Sequence, residues 1–281
     1  MTRLLTHFAA LTVLALLAAC GRPHAPTDNH PAAAVPPGYE AVQDGEFLIP
    51  AVEPHLFYPG AAKEEVAYNG DDAPGTIVID TFARKLYLVE EGGIAMRYAI
   101  AVGREGLSFK GTGVIGRKEE WPSWTPTGNM VRSRPDLYAE YAGGLTGGLD
   151  NPLGARAMYL YRGGSDSHFR IHGTIENASI GHATSAGCIR LFNQDAIDLY
   201  DRIDTGARVK VRTLEESLDL EGPYMNDAYG RAVPDTPENQ AQKLVDEAHI
   251  TALEAQDPEL AAYDAAARAA DDADARQAAG G

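Results

Sequence analysis

The sequence predicts a mainly β domain with short helices, an α+β fold, followed by an Ala- and acid-rich C-terminal tail. Three observations predict it. Short apolar runs with strand period recur between residues 76 and 212, punctuated by Gly and Pro. Only one stretch in that interval carries a convincing amphipathic helix. Acidity is also uneven: residues 214–281 hold 16 Asp and Glu against 4 Lys and Arg, so most of the net charge of −16 belongs to the tail. A nearly balanced body and an acidic tail argue against nucleic acid as a partner.

The elements follow in order. Arg3 opens a positive start, and Phe8 to Ala19 is uncharged and mostly apolar. That length suits a signal-peptide core and falls short of the roughly 20 residues a bilayer span needs. Leu17-Ala18-Ala19-Cys20 resembles the lipobox of bacterial lipoproteins, in which cleavage falls before a lipidated cysteine. The resemblance implies a signal peptide over 1–19. It also implies a mature chain anchored to a membrane through Cys20 and exported to the periplasmic side of the envelope. Gly21 in place of an aspartate favours the outer membrane. An ordinary secretory signal with an incidental Cys20 is the alternative.

Residues 20–60 read as a Pro/Ala-rich tether, with "EFLIP" and "HLFYP" packing on a domain that spans 61–213. "TIVID" (76–80) and "KLYLVE" (85–90) suit a hairpin around "TFAR". In "AMRYAIAVG" (95–103), Met96, Tyr98, Ile100 and Val102 alternate as in a strand. Residues 111–127 carry Gly and Pro too densely for a long helix. "AMYLYR" (157–162) and "HFRIHG" (168–173) are further strands, the second placing His168, Arg170 and His172 on one face. Asn193 is positioned to cap "QDAIDLYDRI", with Asp195 in its first turn and Ala196, Ile197, Leu199, Tyr200 and Ile203 along one side. "TGARVKVR" (205–212) ends the body with a turn and a strand. Residues 214–281 are expected to be helical or disordered, with Pro258 interrupting them.

The chemistry centres on "HATSAGCIRL", residues 182–191. If Cys20 carries lipid, Cys188 has no intrachain disulfide partner, and a lone thiol in an oxidising compartment is a liability unless used. A buried small hydrophobe and a zinc site with His168, His172 and His182 are the bland alternatives; H-x3-H spacing suits a helix better than this strand. A nucleophilic cysteine needs a base, oxyanion donors and a held substrate. His172 at a strand end supplies the base. Gly187 allows a tight turn whose amides face an oxyanion. Arg190 is placed either to clamp a substrate carboxylate or to form an internal salt bridge. His182 reads as an exposed loop residue. Trp121 and Trp124 read as loop-packing aromatics or, alternatively, as a groove wall for glycan or peptide, with Trp124 the one expected to bind substrate.

"IHGT…SIG…TSAGCIRLFN" resembles the signature of the YkuD-type L,D-transpeptidase domain. "PGTIVID…RKLYLVEEGG", "EWPSWTPT", "NPLGARAMYL" and "NQDAIDLYDRI" resemble further family segments in family order. The resemblance implies a β-sandwich catalytic domain that acts on peptidoglycan stem peptides without cofactor or metal, expected to be monomeric. It assigns Cys188 as nucleophile, His172 as proton acceptor and donor, and the Gly173 carbonyl as the group orienting the imidazole. The Gly187 and Cys188 amides become the oxyanion hole, and Arg190 and Asn193 take structural or substrate-binding positions. Many members carry histidine where this chain has Ala186. Transfer to an amine acceptor, hydrolysis by the same acyl-enzyme, and non-catalytic wall binding all remain open on residue types alone.

Overall fold

The computed structural model describes residues 35–103, 109–133, 135–184, 189–257 and 262. Cys20, Ala186, Gly187 and Cys188 therefore lie outside the described residues, as do the expected signal peptide and most of the tether.

The described chain is organised by an 11-stranded sheet. In chain order its strands are β3 (Glu64–Ala67), β4 (Ile77–Asp80), β5 (Lys85–Glu90), β6 (Ile94–Ala99), β7 (Ala101–Gly103), β8 (Gly111–Glu120), β9 (Arg156–Arg162), β10 (Ser165–His172), β11 (Ala183–Thr184), β12 (Ile189–Arg190) and β13 (Arg208–Val211). They lie side by side as β11-β7-β12-β10-β9-β8-β13-β4-β5-β6-β3. β10 with β12, β11 with β7 and β13 with β4 are parallel; the other pairs are antiparallel. Val102, near one end of that order, shares a core with Leu88 and Tyr98 from the other end. The sheet thus curls over itself into a sandwich around one core, which also takes Ala196, Leu199 and Ile203 from the helix side.

The expected hairpin forms across 81–84, with Ile77 opposite Leu88 and Ile79 opposite Leu86. The alternation in 95–103 sorts as read: Tyr98, Ile100 and Val102 enter the sandwich core and Met96 packs against it. Ala99 and Ala101 face outward, yet they are buried, because Tyr39, Val52, Ile180 and Phe192 cover them. Small side chains there let Tyr39, Val52, Leu56 and Phe57 lie close, while the hairpin of β1 (Val42–Asp44) and β2 (Phe47–Ile49) packs elsewhere, on Trp121 and Arg156. The single expected strand is two, because the chain passes from β5 to β12 as partner on either side of Ile100.

Two other differences have physical causes. Residues 111–120, where the density of Gly and Pro argued only against a long helix and no strand was assigned, form the longest strand among the described residues. A Cβ at Gly113 would stand 2.9 Å from the Tyr161 carbonyl oxygen, and one at Gly116 would stand 2.3 Å from the Tyr161 ring. Those glycines permit close strand approach rather than ending a strand. In β10 the pairing shifts between Asp166 and Arg170, and His168 has φ of 64°. This bulge takes His168 out of the expected alternation, whereas Arg170 and His172 keep it, registered with Tyr159 and Ala157.

Among the described residues the helices are short apart from the last: α1 (Gly128–Ser133), α2 (Pro135–Tyr138), α3 (Asn193–Arg202), α4 (Leu214–Glu221) and α5 (Pro237–Gln256). The stretch expected as a tail is built onto the body in its first part. Thr213 and Glu216 form a capping box for α4. Its last residue, Glu221, meets Arg212 at 2.7 Å, the Tyr87 hydroxyl at 2.7 Å and Lys85 at 3.3 Å. A hairpin of β14 (Tyr224–Asn226) and β15 (Ala232–Pro234) follows. Only α5 matches the expected marginal helix, with none of its residues buried.

Candidate active site

His172 ends β10, where β12 runs parallel beside it: Ile171 is registered with Ile189 and His172 with Arg190. The residue following Cys188 in sequence is therefore held next to the one preceding His172. The His172 ring is buried, and its Nδ1 lies 2.6 Å from the Gly173 carbonyl oxygen. A carbonyl only accepts, so Nδ1 carries the proton and Nε2 is left as the acceptor. Burial, then the Arg190 charge, push the imidazole down to about 3, with the Gly173 bond opposing them. The ring is neutral at physiological pH and presents a basic nitrogen.

The turn behind His172 is tightly specified. Asn193 does not cap α3; Phe192 is the capping residue, without a side-chain bond. Asn193 is instead buried, its Oδ1 accepting from Ala155 N at 2.9 Å and its Nδ2 donating to the Thr174 carbonyl at 3.0 Å. A Cβ at Gly173 would stand 2.1 Å from that Oδ1, and one at Gly154 would stand 2.2 Å from it. Both glycines are needed for the amide to bridge the two backbone segments. Asn193 thus positions the turn whose carbonyl fixes the His172 tautomer, and it is not among the residues lining the cleft.

That cleft has a volume of about 220 Å³ and is walled by Trp124, Tyr138, Tyr141 and Leu145, with His172, Glu176 and Arg190 also lining it. The two tryptophans divide the readings given to them. Trp121 stacks on Phe47 with centroids 4.2 Å apart, whereas Trp124 stands 6.3 Å from both Tyr138 and Tyr141 in the cleft wall. Arg190 forms the internal salt bridge, its Nη1 2.6 Å from Glu176 Oε2, while still lining the cleft. Sequence reasoning gave Glu176 no role; its place four residues after His172 was the available signal.

His182 is half-buried rather than exposed. Its backbone bridges to Arg231, beside the C-terminal hairpin. Burial first, then the charges of Arg84 and Arg231, hold its imidazole below the ordinary histidine range. Arg84, a buried residue at φ 52° in the "TFAR" turn, donates to the carbonyls of Gly181 and Gly230 at 2.9 and 2.8 Å and to Asn226 Oδ1 at 2.6 Å. Ala232 N also donates to the Gly181 carbonyl, at 3.0 Å. Arg84 and the hairpin beyond residue 222 therefore anchor the entry to the Cys188 loop. The sequence gave no sign of this.

Fold and site together define a β-sandwich with a tautomer-fixed, neutral histidine at the floor of an aromatic cleft. A family model described as the L,D-transpeptidase catalytic domain (YkuD) matches residues 74–211. A protein of Fuscovulum blasticum, whose name places it provisionally among the L,D-transpeptidases, is 39% identical over 137 residues, covering 48% of this chain and 68% of the relative. "Probable L,D-transpeptidase ErfK/SrfK" of Escherichia coli K12 is 33% identical over 139 residues, covering 49% and 43%. A solved Brucella melitensis structure, titled a probable carnitine operon oxidoreductase, is 48% identical over 51% of this chain and 88% of that one. Its TM-score is 0.39. The chain belongs to the L,D-transpeptidase (YkuD) family. It spans about two thirds of the Fuscovulum relative and less than half of the E. coli one.

Proposed function

We propose that the protein is a peptidoglycan L,D-transpeptidase that works through a Cys188 thioester, exported and anchored through lipidated Cys20 in the periplasmic face of the outer membrane. The observation that carries the reading is His172: its Nδ1 is committed to the Gly173 carbonyl, and its strand is registered with the residues that follow Cys188. Family membership supports the substrate class.

In the proposed reaction, Nε2 of His172 takes the Cys188 thiol proton as sulfur attacks the carbonyl at the L,D bond of a donor stem tetrapeptide. Amides of Gly187 and Cys188 receive the oxyanion. The bond to the terminal D-residue breaks, and its amine leaves with the proton from His172. An acceptor amine then attacks the thioester, the C–S bond breaks, and the thiolate regains a proton through His172. A free thiol has a pKa near about 8.5, so an adjacent base is what makes attack competent at neutral pH. The aromatic wall around Trp124 supplies the apolar surface for the peptide.

Intact mass after incubation with a tetrapeptide stem or a carbapenem tests this. Wild type is expected to gain one acyl adduct and Cys188→Ala none. An adduct on Cys188→Ala would overturn the nucleophile. Adding an amine acceptor separates transfer, which yields a cross-linked product, from hydrolysis. Loss of envelope fractionation in Cys20→Ala tests the anchor.

A further inference from the structure

Arg190 and Glu176 make an asymmetric pair. The Arg190 side chain is only 12% exposed, whereas that of Glu176 is 62% exposed, yet they meet at 2.6 Å in the cleft that His172 lines. The Glu176 backbone is fixed: its N–H donates to Thr174 Oγ1 at 3.0 Å, and its carbonyl accepts from Ser179 N at 2.9 Å and Ser179 Oγ at 2.7 Å. Only the side chain reaches across to the guanidinium. An exposed carboxylate on a fixed backbone is easily displaced, because water compensates it when it swings away. A guanidinium that is nearly buried is not; it holds a carboxylate in fork geometry and keeps one near. Its positive charge also opposes protonation of His172, and an anion held at Arg190 offsets that charge.

On the reading that the substrate is a stem peptide, we propose that Glu176 is a built-in stand-in for a donor carboxylate. It occupies Arg190 in the resting protein and gives way when a substrate carboxylate within about one residue of the scissile bond takes its place. Glu176 then sets specificity: a donor lacking that carboxylate leaves the internal pair closed. Two carboxylates of the tetrapeptide share this chemistry, that of the terminal D-residue and the free one on diaminopimelate.

Calorimetric titration on the Cys188→Ala background separates binding from chemistry. The probes are the synthetic tetrapeptide and its two single carboxamides, one at the C-terminus and one on diaminopimelate. Adding Glu176→Gln is expected to tighten the unmodified tetrapeptide by about 3- to 10-fold. One carboxamide should lose that gain, which identifies the carboxylate, and adding Arg190→Gln should abolish it for all three. Equal tightening of all three peptides would mean simple relief of repulsion and would overturn the swap. So would unchanged or weaker binding in Glu176→Gln, or no binding by any peptide. The mass experiment on wild type keeps the two readings apart. An adduct without the binding pattern sinks only the swap, and the pattern without an adduct sinks only the transpeptidase.

Discussion

His172 and His182 both precede Cys188 in sequence, and their surroundings are built differently. His172 is set by the sandwich itself: strand pairing to β12, the Gly173 carbonyl, and Asn193 behind the turn. Those parts lie inside the region matched by the family model. His182 is set from outside that region, by Arg231 and by the hairpin that Arg84 ties to Gly181. On the proposed function the chemistry rests on the shared body, whereas the entry to the loop rests on an extension: the histidine with a fixed tautomer is the proposed base, and the one wedged between cations sits at the anchor.

The comparison breaks most directly at His172. His172→Ala is expected to lower the acylation rate by about 10²–10⁴-fold, the span for losing a positioned base, as read by time-resolved intact mass. Acylation as fast as wild type would remove the base role and leave the two histidines equivalent.

Next is the clasp on the His182 side. Arg84→Gln removes the guanidinium from the part-buried Gly230 carbonyl and from Asn226 Oδ1 and leaves the Gly181 carbonyl with Ala232 N–H, and each such lost bond costs about 1–3 kcal/mol. A loss of about 2–4 kcal/mol in urea unfolding is expected. Stability within about 0.5 kcal/mol of wild type would mean that the hairpin is decoration.

A third prediction concerns pH. His172 is pushed down to about 3 from 6.5, so its contribution to stability is whole above 6.5 and is lost as pH falls towards 3. Asp195 runs the other way. Burial pushes its carboxyl up to about 7 from 3.8, against the pull of the Tyr39 hydroxyl and of Lys63 Nζ, 3.8 Å away. Its contribution is whole below 3.8 and is lost as pH rises through 7. Between about pH 4 and 6.5 the two slopes, each near 1.4 kcal/mol per pH unit at most, oppose each other. His172→Asn should therefore gain stability from pH 6.5 to 5, and Asp195→Asn should lose it. Parallel slopes in the two variants, measured by urea unfolding, would refute the assignment.

The smallest effect belongs to His182 itself. His182→Gln keeps the backbone bridge to Arg231, so a change in acylation of no more than about 3-fold is expected in the same mass assay. A loss as large as that of His172→Ala would reverse the comparison.

The sandwich was legible where side chains alternate, as in 95–103, and where short apolar runs buried on both faces are bounded by turn residues, as in 76–80, 85–90 and 157–162. It was not legible in β8, where Gly113 and Gly116 serve close approach to Tyr161 and look like punctuation. His172, Gly173 and Asn193 were found through an ordered motif. Even so, the job of Asn193 is a three-dimensional one, since bridging Ala155 to Thr174 leaves no local signal. Arg84 and Glu176 stayed hidden for the same reason: their partners come from other segments. The hairpin after residue 222 was masked by the acidic composition around it.

The place of β13 has a consequence for how the chain folds. It lies between β8 and β4, and among the described residues no other strand joins the two halves of the sheet. Until residues 208–211 arrive, the growing chain can hold only two separate ladders with open edges, one ending at β8 and the other at β4. Val209 pairs with Ile77, more than a hundred residues earlier, so closure is a late, long-range event. A chain emerging from its amino end therefore stays incomplete until almost the whole body is out, and the last central strand acts as the keystone that closes it.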